Sequence, residues 1–431
     1  MKVFKFGGAS VKDADAVRNV AAILRKYEND ELLVVVSAMG KTTNALEKVL
    51  ASWFDASPDK NNLLREVFNY HREIAGGLFQ DNSTTVYAEI DKLFLGLETY
   101  ISRPPRFSYD KEYDQIVSYG EILSTSIIHH YLLQAEIQSV FLDVRKLIIT
   151  DSNFREARIN WDATSKNIQN TVNPILATSL HSVILTQGFL GSDPEGFTTT
   201  LGREGSDFSA SIFAFALEAE EMIIWKDVPG LLNADPKYFS KTERLARISY
   251  REAIELSYYG ATIIHPKTIK PLQNKNIPLR IKSFVDPESE GTLIHLDTAS
   301  DSLIPSFIFK VEQVLISVSP RDFSFIDEQN LSGILGIFAL LGIRINLMQN
   351  SAISFSVCVD NNERRLKQLF EKLGQKYNVR YNTGLELITI RHYDQATINR
   401  VFEDEKTILL EMRTRATAQM VVRPSSSHQV S

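Results

Sequence analysis

Near its start the chain switches between two hydrophobic periods. Val3, Phe4, Lys5 and Phe6 alternate every second position, as a short strand does. Val17, Val20, Ala21 and Leu24 then recur at the spacing of one helical face. Ser10, with Asp13 three residues on, predicts a capping box at the start of that helix. ELLVVVS (31–37) is apolar almost throughout, which predicts a strand covered on both faces. Strand, glycine turn, helix and buried strand make a βαβ unit, so a parallel sheet is expected. SVFLD (139–143), SVILTQ (182–187), EMIIW (221–225) and PLRIK (278–282) add strands to it. From about 45 to 140 the pattern is mainly helical, broken at Pro104-Pro105.

The pattern changes near Ser300–Pro305. Short strands are expected at Val314–Val318, Ile353–Val359, Leu385–Ile390, Thr407–Met412 and Ala418–Val422. Helices are expected at Gly333–Gly342, Glu363–Tyr377 and Gln395–Phe402. Such alternation suggests one or two ferredoxin-like α+β units. The expected organisation is an α/β domain over 1–300 with a helical insertion at about 45–140, an α+β region over 305–424, and a disordered tail over 425–431.

Composition narrows the setting. The chain has 431 residues, 44% hydrophobic and 23% charged, with a formal net charge of −6, which gives no footprint for a nucleic-acid or membrane partner. No signal peptide and no apolar run of about 18 residues is seen, so a membrane span is not expected. The single cysteine, Cys358, cannot form an internal disulfide and suits a reducing, cytoplasmic setting. It lies in an apolar run and reads as core filler. The eight histidines lack ligand spacing, so no structural metal is expected.

Candidate chemistry lies in four glycine-containing stretches that follow or interrupt strands. They are KFGGAS (5–10), SAMGKTTN (37–44), GFLGSDPEGFTTTLGREGSD (188–207) and DVPGLLNADP (227–236). Open α/β sheets bind ligands at the carboxyl ends of their strands. Glycine turns and helix N-termini there offer N–H groups to anions. Lys5, Lys41, Arg203 and Lys226 are spread over or beside these stretches, so a phosphate-rich ligand is expected. Neither GxxxxGK[ST] nor GxGxxG occurs, which argues against the Walker and dinucleotide types of site.

Taken together, KFGGAS, SAMGKTTN, SYGEILST (118–125), LDVRKLIITD (142–151), TLGREGSD (200–207), WKDVPGLLNADP (225–236) and YGATIIHPKTIKPL (259–272) resemble the aspartate kinases of the amino-acid kinase family. The likeness covers residues 1–295, and 305–424 resembles the paired ACT domains of those enzymes, with the second unit shortened. It implies an αβα sandwich around a mostly parallel sheet, followed by ferredoxin-like regulatory units. The implied reaction moves the γ-phosphoryl group of ATP, carried with Mg²⁺, to the β-carboxylate of L-aspartate. This is the first step toward lysine, threonine, methionine and isoleucine. A homodimer and an amino-acid effector at the ACT region are implied as well.

The resemblance also assigns residues. Lys5 would reach the β- and γ-phosphates, cradled by Gly7, Gly8 and Ser10, with Asp207 orienting it. Thr43 and Glu121 match substrate positions, Glu121 taking the α-ammonium. Arg203 would fork onto a substrate carboxylate, beside Gly205 and Ser206. Lys226, Asp227, Asn233, Asp235 and Lys237 lie on the nucleotide segment. Plainer readings stand beside these. Glu121 could be a surface helix glutamate, Thr43 a helix cap, and Asp207 the N-cap of a helix starting near Phe208. Lys41 reads as a solvated loop lysine, His265 as a structural hydrogen-bonder, and Trp225 as core.

Departures are visible too. Ala9 stands where the family usually has threonine, Glu204 and Lys226 where it has glycine and threonine, Leu232 for a tyrosine and Thr262 for a lysine. Glu204 would repel substrate unless it faces solvent or is paired. In the tail, Ser332-Gly333 and Asn350-Ser351 fall where effector contacts are expected, followed by Ala352 in place of an acid. Two alternatives remain: another amino-acid kinase, and a catalytically weak amino-acid-sensing protein of the same fold.

Overall fold

The first strand, β1 (Lys2–Phe6), is central to the larger of two compact units in the computed structural model. The structure describes residues 1–79, 85–178, 183–239, 241–261, 264–322, 324–401 and 406–424. The expected tail 425–431 and the departure at Thr262 lie outside them. One unit comprises residues 1–231, 244–254 and 263–298, and the other residues 232–243, 255–262 and 299–431.

In the first unit the chain runs β1, α1 (Ala14–Arg25), β2 (Leu32–Val36), then five helices: α2 (Thr42–Phe54), α3 (Lys60–Leu78), α4 (Thr85–Ile101), α5 (Tyr109–Val117) and α6 (Tyr119–Gln134). It continues through β3 (Ser139–Leu142), α7 (Trp161–Thr178), β4 (Val183–Gln187), the hairpin β5 (Leu190–Ser192) and β6 (Thr198–Thr200), α8 (Gly205–Leu217) and β7 (Glu221–Lys226). Then come β8 (Arg247–Ser249), α9 (Tyr250–Tyr259), whose residues from Glu255 onward are counted in the other unit, α10 (Pro266–Asn274), β9 (Leu279–Ser283) and β10 (Thr292–His295). Eight strands form one sheet in the order β3-β4-β2-β1-β7-β9-β10-β8. The first six are mutually parallel, and β10 turns antiparallel against β9.

Burial explains the apolar runs. β2 and β4 are buried at every position, as expected for strands covered on both faces. Phe6 stacks on Trp225 across the β1–β7 pairing, with ring centroids 5.9 Å apart. The capping expectation needs correcting. Asp13 itself caps α1, accepting from the Ala16 N–H at 2.8 Å, while Ser10 sits in a short 3₁₀ turn over Gly8–Val11.

The second unit is one antiparallel sheet, ordered β12-β13-β11-β14-β16-β15. Its elements are β11 (Ser306–Pro320), α11 (Glu328–Leu340), β12 (Ile345–Asn350), β13 (Phe355–Asp360), α12 (Glu363–Gly374), β14 (Tyr377–Arg391), α13 (Gln395–Val401), β15 (Thr407–Arg413) and β16 (Thr417–Arg423). β11 and β14 are far longer than the sequence pattern suggested. Their register shifts between Lys310 and Gln313, where Glu312 adopts φ +54°, so one bulged strand serves two apolar clusters. One cluster joins Val314 and Ile316 to Phe338 of α11 and Leu369 of α12. The other joins Phe307 and Ile390 to Ile398 and Val401 of α13. Tyr377 opens β14 rather than ending α12. Ser332-Gly333 lie within α11, past its first turn, rather than in the strand-to-helix turn before it.

Candidate active site

Parallel strands deliver their carboxyl ends to one rim, and the rim of this sheet opens into a cleft of about 970 Å³. Residues at or just past the ends of β1, β2, β4 and β7 line it: Lys5 and Gly8, Ser37 and Ala38, Phe189, and Lys226. β1 lies between β2 and β7, with the chain departing to opposite sides, which is where open α/β sheets form ligand crevices.

Lys5 reaches across to the first turn of α8. Its Nζ lies 2.5 Å from Asp207 Oδ1, and the two side chains are only 10% and 5% exposed. A buried pair like this is costly to break from one side, since the remaining charge is left unsolvated. Asp207 is not the helix cap: α8 begins at Gly205, with Glu204 at the cap position in the left-handed region. The Gly205 N–H is already given to the Gly202 carbonyl at 3.0 Å. The N–H groups of Ser206 and Asp207 carry no hydrogen bond among the described residues. They are the orphan donors of a helix start, a seat for an anion.

Gly8 is demanded by packing. A Cβ there would come within 2.8 Å of both the Ala38 and Gly40 carbonyls, so no side chain fits between the β1 and β2 turns. Ser10 turns away from the cleft, its Oγ donating to the Trp225 carbonyl at 3.3 Å. Gly7 borders Lys5: a Cβ on it would lie 3.3 Å from Nζ. Thr43, in the first turn of α2, lines the cleft half-buried.

Glu121 sits in the first turn of α6, only 3% exposed, so it is no surface residue. Its Oε1 accepts a long hydrogen bond from the Ala38 N–H at 3.4 Å. Its Oε2 has no partner among the described residues. Burial pushes its pKa up to about 8, against the smaller downward pull of backbone N–H groups. Arg203 is the opposite case. It is exposed on the cleft wall and unpaired among the described residues.

Several expected nucleotide residues are not among those lining this cleft. Asp227 is exposed and does not line the cleft. Asn233, Asp235 and Lys237 belong to the second unit. There Asn233 is buried, donating to the Pro305 carbonyl and accepting from the Glu243 N–H, so its side chain is committed to a loop clamp. Asp235 Oδ1 accepts the Lys237 N–H at 2.9 Å, a local turn. Lys41 occupies the cap position of α2, solvent-exposed.

Glu204 is disarmed rather than aimed at a ligand. Its Oε2 accepts the His265 backbone N–H at 2.8 Å, just ahead of α10. A carboxylate at a helix N-terminus is electrostatically favoured.

Sequence reasoning missed one wall of the cleft. Asp110, Tyr113 and Asn153–Glu156 line it. Next to them Asp114 is fully buried and accepts from the Thr200 N–H at 2.8 Å, the Thr200 hydroxyl at 2.7 Å and the Arg155 N–H at 3.0 Å. Burial lifts its pKa to about 6, the hydrogen bonds pulling the other way. Tyr113 donates its hydroxyl to Glu47 at 2.9 Å. The only sequence signal was an acid-and-aromatic run, YDKEYDQ (109–115), that reads as ordinary surface helix. No group of three or more metal-ligating side chains occurs among the described residues.

Comparison with known proteins now bears on this cleft. The profile of the amino acid kinase family matches residues 1–283. The chain is also 32% identical over 359 residues to lysine-sensitive aspartokinase 3 of Escherichia coli, covering 83% of this chain and 78% of that one. The chain belongs to the amino acid kinase family, among its aspartokinases. The crystal structure of Escherichia coli aspartokinase III in complex with aspartate and ADP superposes with a TM-score of 0.80 at 28% identity, covering 98% of this chain and 96% of that one. Against the chloroplastic bifunctional aspartokinase/homoserine dehydrogenase 1 of Zea mays the identity is 28% over 83% of this chain, which spans 39% of that protein's length. Within the aspartokinases, the αβα unit is the amino-acid-kinase fold and the antiparallel unit is ACT-like.

Proposed function

We propose that this chain transfers the γ-phosphoryl group of ATP to the β-carboxylate of L-aspartate, giving 4-phospho-L-aspartate and ADP. The observation that carries this reading is the set of charges gathered in one cleft. A buried Lys5–Asp207 pair lies at the end of β1, and among the described residues Arg203 is unpaired and Glu121 keeps one oxygen unsatisfied.

The chemistry needs little else. A β-carboxylate with a pKa near ~4 is ionised at neutral pH, so no general base is required. One carboxylate oxygen bonds to the γ-phosphorus as the bond to the β,γ-bridging oxygen breaks, and ADP leaves with that electron pair. No proton moves. The task is to hold two anions together and to stabilise charge on the transferring group. Lys5 supplies a cation oriented by Asp207, and the Ser206 and Asp207 N–H groups supply donors. Glu121 takes the substrate ammonium, and Arg203 its α-carboxylate. Thr43 and Lys226 border the same space. Mg²⁺ would travel with ATP on its phosphates and water.

Around this centre the reading adds a cytoplasmic homodimer feeding lysine, threonine, methionine and isoleucine synthesis, with the ACT-like unit binding an amino-acid effector. The test is an ADP-release assay with hydroxylamine trapping. Aspartyl hydroxamate supports the reading. Glutamyl hydroxamate alone would move the chain to another amino-acid kinase, and no hydroxamate from either would leave only an amino-acid sensor.

A further inference from the structure

A guanidinium on the missed wall stands out. Arg155 has φ +68°, a left-handed conformation that bulky residues rarely adopt. Strain of this kind persists where surrounding structure enforces it, and it clusters at binding sites. The enforcement is visible. The Arg155 N–H donates to both oxygens of buried Asp114, at 3.2 and 3.0 Å, and the Ala157 N–H donates to the Thr200 carbonyl at 3.0 Å. Next door, the Lys111 ammonium sits over the rings of Phe107, Phe154 and Phe197, at 4.4, 5.1 and 3.3 Å. That cage pins the residue preceding Arg155 to α5 and to the β5–β6 connection. The loop is therefore fixed, and only the arginine side chain is left adjustable.

The side chain faces the right space. Arg155 lines the same cleft as Lys5, Glu121 and Arg203. Its loop abuts the Arg203 loop: a Cβ on Gly202, which has φ +75°, would lie 3.1 Å from the Arg155 carbonyl. The guanidinium lies 4.5 Å from the Tyr113 ring centroid and 3.2 Å from Asp110. That ion pair is about half exposed on each side, so it is weak and exchangeable. The charge balance gives the exchange a purpose. Acidic side chains lining the cleft outnumber basic ones six to four, yet both proposed reactants are anions. Arg155 is one of those four cations, and among the described residues its one ion-pair partner is a surface carboxylate.

We propose that Arg155 is a second carboxylate-binding arginine of the acceptor subsite: on substrate entry it leaves Asp110 and, with Arg203, holds the non-reacting carboxylate of the dicarboxylic amino acid. The reacting carboxylate must stay free of a forked donor, because such a clamp would blunt its attack. This assignment rests on the aspartate kinase reading above and deepens it.

The test is steady-state kinetics of the full chain, with aspartyl hydroxamate as readout, together with calorimetric titration of aspartate. R155G is the informative variant, because glycine accepts φ +68° without strain and removes only the side chain. It is expected to raise the aspartate KM and Kd by about 10- to 100-fold, the range for a hydrogen bond to a charged group, with the ATP KM unchanged and thermal stability equal or higher. R155K should recover part of the loss, since charge returns without the fork. D110N should lower the aspartate KM by removing the competing carboxylate. Wild-type turnover of aspartate together with an R155G KM equal to the parent's, or with aspartate and ATP KM rising alike, overturns this assignment alone. A wild type that forms no aspartyl hydroxamate overturns the underlying reading instead.

Discussion

Two buried polar side chains, one in each unit, show how a structural group differs from a working one. Gln313 in the antiparallel sheet is 1% exposed, and Glu121 at the parallel sheet's rim is 3% exposed. Gln313 uses its whole capacity within the chain. Its amide donates to Asp360 Oδ1 and the Val311 carbonyl, and its oxygen accepts from the Asn346 amide and the Cys358 thiol. Glu121 accepts one long hydrogen bond and leaves its other oxygen bare among the described residues. A buried polar group left unsatisfied costs free energy, so it marks a place where a ligand completes the structure. The bulge of β11 needs Gln313 to knit it, whereas the end of the first unit's sheet holds Glu121 in reserve.

The largest test of this contrast removes a cation that lines the same cleft as Glu121. Lys5→Ala should lower kcat by about 10²–10³, the usual cost of deleting one donor to the transition state. It also leaves Asp207 buried without its partner, so a loss of thermal stability is expected with it. A mutant turning over at near the parental rate would detach the strand-end charges from catalysis.

Glu121→Gln comes next. The aspartate KM should rise by about 10- to 100-fold, because a neutral amide cannot form an ion pair with the ammonium. Glu121 carries a second signature in its pH response. Its folded pKa is about 8, above the usual carboxylate value, so the folded protein binds an extra proton between about pH 4.5 and 8. Stability therefore falls as pH rises through that window, and Glu121→Gln should flatten the slope in urea unfolding at pH 6 and 8. Aspartate binding should release that proton, so affinity should improve with pH up to about 8. A flat affinity profile would mean that the ammonium goes elsewhere.

On the other side of the comparison, Gln313→Ala should destabilise the chain by about 1–3 kcal/mol, since it strips partners from Asn346, Asp360 and the Val311 carbonyl. The aspartate KM and kcat should not change. A kinetic effect equal to that of Glu121→Gln would erase the distinction between the two groups.

How much of this was legible depended on where the information lies. Lys5, Arg203 and Asp207 stand in short glycine-bearing stretches, so their gathering in one cleft follows from strand ends alone. β2 and β4 announced themselves as apolar runs because both faces are covered. The Asp114–Arg155 wall did not, because its chemistry comes from a left-handed arginine and a contact across 41 residues, neither of which has a periodicity. β11 was read as five residues and spans fifteen, because charged Lys310 and Glu312 at the bulge interrupt the alternation. Short β8 and β10 lacked enough residues to show a period. Asn233 looked like a ligand residue from its motif, while its amide is spent on two backbone groups.

The smallest expected effect is at Glu204, and its smallness is what sharpens the contrast. Glu204 is a carboxylate on the cleft wall, and on charge alone it should oppose two anionic substrates. Its partner argues otherwise, because Oε2 is engaged by the His265 N–H at the start of α10. Glu204→Gly removes that acceptor, at a cost of about 1 kcal/mol by analogy with helix caps. It also relieves a φ of +54°, which returns about 1–2 kcal/mol. The two terms nearly cancel, so thermal stability should shift by less than about 1 kcal/mol, and kcat/KM for aspartate should change by less than about threefold. A tenfold or larger gain in kcat/KM would show that the carboxylate repels substrate despite its hydrogen bond. Satisfaction within the chain would then no longer distinguish structural polar groups from working ones.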